Sequence, residues 1–167
     1  MEAKTKLHIV TLGDPLLNEK SLVIDDFSNG LHDLVRDMFQ CMYNGKGVGL
    51  AAVQVGKLLR VFITHLPKDE PRVFVNPEII TTSINENTYE EGCLSIPAVY
   101  SDVKRPSTVK VQAMDLKGKY FTLDADEFLA RVVQHELDHL EGVLFVDRVS
   151  KNKKKQLLKT YQRKANA

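Results

Sequence analysis

RVVQHELDHLEGVLF, residues 131–145, sets two histidines four positions apart with a glutamate beside the first. On an α-helix, positions i and i+4 lie one above the other and lean toward the N-terminus, so His135 and His139 aim at one point. Glu136 stands about 100° round from His135. From there it reaches a water beside a metal without occupying the metal. Imidazole ligands with an open position and a nearby carboxylate suit hydrolysis of a carbonyl compound. The segment also decides the fold. Phe128, Leu129, Val132, Val133, Leu137 and Leu140 form a broad apolar face, which makes this the central helix. Asp124 with Glu127 three residues on reads as a capping box, and Gly142 ends the helix.

Upstream, Leu31, Leu34, Val35, Met38, Phe39 and Met42 repeat at helical spacing, with Asp25, Asp26 or Ser28 as caps and Asn44-Gly45 as the stop. GKGVGLAAVQVG (45–56) is too glycine-rich for a helix and too apolar for a free loop, which suggests backbone held close to something. RVFIT (60–64), RVFVN (72–76) before Pro77 and EIITT (78–82) read as short strands, and Asn85–Asn87 as a turn. Residues 109–123 read as an antiparallel hairpin turning at Lys117-Gly118. Strands between helices, without βαβ periodicity or internal repeats, argue for an α+β domain. Its expected form is antiparallel or mixed sheets around the HELDH helix, with one helix near each end of the chain.

The 167 residues suffice for one catalytic domain over 1–150, followed by a basic helical tail of that domain at 151–167. That tail holds seven of the 23 Lys/Arg and none of the 22 Asp/Glu, leaving 16 bases against 22 acids before it. A basic tail is either a solvated helix or a contact for an anionic partner such as RNA. No apolar run approaches the roughly 18 residues of a membrane span. MEAKTKLHIVTLG (1–13) has no apolar leader core, so a cytoplasmic location without membrane partners is expected. Two cysteines make no disulfide framework.

A metal held by His135 and His139 needs a third ligand. Glu141 points elsewhere on the helix, and Asp147 requires a sharp return of the chain. His8, His32 and His65 stand apart from the motif. Cys41 sits late in a periodic helix and reads as a small buried hydrophobe. Cys93 lies in YEEGCLSIP (89–97), between a glycine and a proline that constrain its loop. It is the preferred third ligand. A metallopeptidase cutting internal amide bonds shares the helix motif but normally takes its third ligand downstream. A noncatalytic structural site would need four protein ligands.

HELDH (135–139), EGCLS (91–95) and GVGLAAVQ (47–54) together resemble the three motifs of peptide deformylases, in the family's order. The likeness runs from GDPLL (13–17) to GVLFVDRVS (142–150). It implies removal of the N-formyl group from formyl-methionine on nascent polypeptides, with release of formate. It implies one divalent metal on Cys93, His135 and His139: Fe(II) natively, with Zn, Ni or Co as substitutes. Glu136 becomes the proton carrier, and the Gln54 amide and Leu94 backbone N–H the oxyanion donors.

Gly47, Val48 and Gly49 fit an extended peptide along a strand edge, because glycines leave it room. Val48, Phe128, Arg131 and Val132 are candidates for the methionine pocket. Glu91 is counted with the substrate-binding residues and, with Arg105, among groups supporting the metal loop. The chain departs from the family pattern at Leu17-Asn18, where arginine is usual, and at Ala98, where glycine is common. The lysine-rich end resembles the helix with which bacterial relatives contact the ribosome near the exit tunnel; no DNA partner is implied.

Overall fold

A computed structural model describes residues 7–167. Part of the leader expectation falls on residues 1–6, outside the described residues. In chain order the elements are α1 (Asn29–Asn44), β1 (Gly49–Ala51), β2 (Val61–Thr64), β3 (Arg72–Thr82), β4 (Glu86–Cys93), β5 (Ile96–Pro106), β6 (Val109–Met114), β7 (Tyr120–Ala125), α2 (Glu127–Leu140) and α3 (Lys151–Ala165), with short 3₁₀ turns at Pro15–Asn18, Ala52–Val55 and Phe145–Arg148. Five strands form one antiparallel sheet in the order β1-β2-β3-β6-β7, and β4 and β5 form a separate hairpin.

Strand alternation decides which helix meets which face of the sheet. Leu50, Val61, Ile63 and Val75 pack with the buried face of α1, whose Leu31, Val35, Met38 and Met42 carry the expected spacing. Ala51, Phe62, Phe74, Val111 and Ala113 point the other way, onto Ala130, Val133 and Leu140 of α2. Phe62 and Phe74 stack there with centroids 4.6 Å apart. Each such side chain contributes about 1.5–3 kcal/mol by leaving water.

α2 is buried on two sides. Its apolar stripe meets the sheet, while Arg131, His135 and Asp138 meet Glu91 and Arg105 of the β4–β5 hairpin. A third cluster joins Val99 and Val103 of β5, Phe145 and Leu157, docking α3 on the hairpin. Ser150 caps α3 by accepting from Lys153 N at 3.1 Å.

Three local expectations need correction. Asp124 does not cap α2: it lies in β7, paired with Lys110, because ladder pairing outweighs a local cap. Asp126 is the N-cap and makes no side-chain bond, and Glu127 sits at φ 49°. The turn expected at 85–87 is shorter, since Glu86 and Asn87 already pair with Pro106 and Arg105. Pro77 does not separate two strands either. β3 runs through it on a bulge, with Asn76 at φ 50° and its side chain bonded to both Ile24 N and Ile24 O at 2.8 Å. Among the described residues, no helix is long and apolar enough to cross a membrane.

Candidate active site

The hairpin β4–β5 turns at Cys93, Leu94 and Ser95, against the buried polar side of α2. Cys93 Sγ lies 3.3 Å from His139 Nε2. The ligating atoms of Cys93, His135 and His139 all fall within 4.8 Å of one another. His135 donates from Nδ1 to Glu91 Oε1 at 2.9 Å, which leaves Nε2 to face Cys93 and Glu136. The two rings meet edge to face at 5.0 Å, and Phe145 stacks beside His135.

Glu91 borders the cleft beside His135, but its carboxylate is not free. Its two oxygens accept from Arg105 Nε at 2.6 Å, Arg105 Nη2 at 2.9 Å, Arg131 Nη1 and His135. Burial alone would raise its pKa, but the hydrogen bonds from His135 and Arg105 prevail and lower it to about 2. Arg105 also donates to Asp138 Oδ2 at 2.9 Å, and Asp138 accepts from Arg148 at 2.7 and 3.1 Å. An alternating chain of charges therefore runs from Arg148 to His135. Burial opposes charge on His135, yet hydrogen bonds to Cys93 and Glu91 raise its pKa well above the ordinary value.

Glu136 is 2% exposed, and its Oε2 has no partner among the described residues. Its Oε1 lies 3.9 Å from His135 Nε2. Burial raises its pKa to about 7, against the opposing charge of His135. A carboxylate balanced near neutrality is suited to taking and returning a proton.

Gln54 is the third residue of the 3₁₀ turn that ends GVGLAAVQ, and its Oε1 reaches back to accept from Ala51 N at 2.9 Å. This local cap commits Nε2 to the other side, where it donates to Ser95 Oγ at 3.1 Å and approaches Cys93 Sγ at 3.4 Å.

A cleft of about 530 Å³ opens over these groups. Gly47, Val48 and Gly49 line it together with Phe128, Arg131 and Val132, and Leu94, Cys93 and Gln54 line it as well. β1 is an edge of the five-stranded sheet, so its outer side faces no other strand of that sheet. The glycines also have a cause within the chain itself. A Cβ on Gly47 would lie 2.8 Å from Leu94 Cδ1, and one on Gly49 would lie 2.9 Å from Val132 Cγ1 and 3.0 Å from Glu136 Cγ. They let the protein's own site close on itself. Arg131 turns its guanidinium out of the cleft, to Glu91, Val103 O and Asn87, over the Tyr89 ring. Only its stem is left for the wall.

The other candidate ligands are engaged elsewhere. Glu141 pairs with Arg60 at 2.8 Å, Asp147 caps Leu144 N, and His65 bonds Tyr43 at 2.6 Å. Cys41 is buried in α1. Among the described residues, His8 and His32 belong to no group that could hold a metal. Among the described residues, Cys93, His135 and His139 alone form such a group. One thiolate and two imidazoles fit Fe(II) or Zn, and three protein donors leave a position open. Asp138, Arg148 and Ser95 are parts of this site that sequence reasoning missed. Only the spacing of Asp138, one turn after His135, offered a signal.

Residues 6–155 match the model of the polypeptide deformylase family. The chain belongs to that family. It is 43% identical to the peptide deformylase of Brucella suis over 95% of this chain and 93% of that protein. Against the enzyme of Bradyrhizobium diazoefficiens it is 44% identical, over 94% and 95%. The peptide deformylase of Legionella pneumophila superposes with a TM-score of 0.91 at 38% identity, covering 96% of this chain and 95% of that one. The Synechococcus elongatus peptide deformylase, solved in complex with actinonin, gives 0.90 at 41% identity, covering 96% and 88%. The deformylase architecture thus spans nearly the whole chain, and the protein is a hydrolase of that family.

Proposed function

We propose that this protein removes the formyl group from N-formyl-methionyl peptides, with Cys93, His135 and His139 holding one divalent cation, natively Fe(II). The observation that carries the reading is the meeting of these three donors with the unpartnered Glu136 Oε2 beneath an open cleft. A bound cation supplies Lewis acidity, which makes water acidic enough to deprotonate near neutral pH and polarises a carbonyl.

The chain's own residues do the rest. An extended peptide pairs along the edge of β1 at Gly47–Gly49, and its methionine side chain rests against Val48, Phe128, Val132 and the stem of Arg131. Glu136 takes a proton from water as the water oxygen bonds to the formyl carbon. Charge develops on the formyl oxygen, toward which Gln54 Nε2 and the Leu94 backbone N–H donate; each such donor is worth roughly 3 kcal/mol. The C–N bond then breaks, and Glu136 delivers its proton to the departing nitrogen. Formate and a free amino terminus result. Glu91 and Arg105 keep His135 oriented throughout.

Anaerobically prepared protein should release formate from an N-formyl-methionyl tripeptide and leave its internal bonds intact. Internal cleavage without formate would refute the assignment. In the same proposal residues 1–150 are the catalytic domain, cytoplasmic, and α3 is its tail, docked by Leu157. The lysines of that tail would engage ribosomal RNA near the exit tunnel. Co-sedimentation with ribosomes that weakens steeply with salt is expected, and none at low salt would remove this part.

A further inference from the structure

We infer that Ser95 is a positioning residue for the reaction: its hydroxyl sets the angle at which Gln54 presents an N–H to the reacting carbonyl. An amide nitrogen carries two hydrogens in one plane. With Gln54 Oε1 held by Ala51 N at 2.9 Å, the only remaining choice is where those two hydrogens point. One goes to Ser95 Oγ at 3.1 Å. The other approaches Cys93 Sγ at 3.4 Å, on the side where Gln54 lines the cleft. With its charge shared with a bound cation, that sulfur is a weaker acceptor than a carbonyl oxygen on which charge develops, and yields to it in the cleft. The bond to Ser95 is the fixed one, since Ser95 is fully buried.

The backbones of the two residues are held independently of this bond. Val10 N donates to Gln54 O at 2.7 Å, and Leu12 N donates to Ser95 O at 2.8 Å. One segment, residues 10–12, thus ties the GVGLAAVQ motif to the EGCLS motif, and the hydroxyl sets only the amide. Without it, the Gln54 amide keeps a single anchor, and a buried N–H loses its acceptor. A donor aimed at charge that develops only in the transition state acts on kcat rather than KM. The hydroxyl therefore matters to turnover and not to substrate or metal binding.

Given the deformylation proposed above, the test compares Ser95→Thr with Ser95→Val, which add the same bulk and differ in the hydroxyl. Formate release, metal content and the ¹H–¹⁵N resonances of the Gln54 side-chain amide are read on zinc-loaded protein. Ser95→Val should lose about tenfold in kcat relative to Ser95→Thr, with KM and metal content unchanged. The two amide hydrogens should shift toward one another in Ser95→Val only. In a Gln54→Ala background the Thr and Val variants should become indistinguishable, because Ser95 acts through Gln54. Equal kcat for the two variants overturns the inference, as does a difference that persists undiminished without the Gln54 amide. Ser95→Ala against the wild type gives the same comparison if the added methyl prevents folding. Failure of the unaltered protein to release formate would instead overturn the deformylase reading itself.

Discussion

Glu91 Oε1 accepts from His135 Nδ1 at 2.9 Å, while the same carboxylate pairs with Arg105 and Arg131. One buried side chain thus orients a candidate ligand and contacts two buried cations, one of which it shares with Asp138. Glu91→Gln keeps the shape and removes the charge. Metal affinity should fall about 10–100-fold, read by competition with a chelator. Stability should fall by about 3–5 kcal/mol in denaturant titration, since the Arg131 guanidinium loses its counter-charge and Arg105 is left with Asp138 alone. Unchanged metal affinity would show that Glu91 has only a structural role.

Gly49→Ala tests the close approach of β1 and α2. The added Cβ meets Val132 Cγ1 at 2.9 Å and Glu136 Cγ at 3.0 Å. Overpacking of this kind costs about 1–3 kcal/mol. Because Glu136 is one of the atoms displaced, kcat should drop more than stability alone explains when turnover is measured per folded, metal-loaded chain. A variant with full kcat would mean that the carboxylate tolerates the shift.

Ala98 occupies φ 63° with its carbonyl oxygen 2.5 Å from Lys164 Nζ. A left-handed conformation penalises any residue with a Cβ, and a glycine would hold it with less strain. Ala98→Gly should stabilise the fold by about 1 kcal/mol, net of the entropy that glycine adds to the unfolded chain. Thermal unfolding would show a higher midpoint; a lower one would mean the Lys164 contact already compensates the strain.

Glu136→Gln separates proton transfer from metal binding. The amide fills the same space, so metal content should match the wild type while kcat falls about 10²–10⁴-fold. Formate release at the wild-type rate would remove Glu136 from the mechanism.

The parts of the fold legible from sequence are those where burial and periodicity agree. Leu31, Val35, Met38 and Met42 repeat at helical spacing, and HELDH sits on a helix with an apolar stripe. The β4–β5 hairpin was not legible, for a physical reason. Along β5 the buried positions are Ile96, Val99, Ser101, Val103 and Arg105, so a serine and an arginine interrupt the apolar alternation. Arg105 is buried because Glu91 and Asp138 await it, which no local pattern reveals. The same holds for the site. Cys93 could be preferred over Cys41 by its setting, but the ion-pair chain through Asp138 to Arg148, and the Ser95–Gln54 bond, join segments far apart in sequence.

Metal content per chain of anaerobically purified wild type, Cys93→Ala and Cys41→Ala tests the central claim most directly. The three-residue site predicts about one equivalent in the wild type and in Cys41→Ala, and close to none in Cys93→Ala. Equal metal content in the wild type and in Cys93→Ala would contradict it.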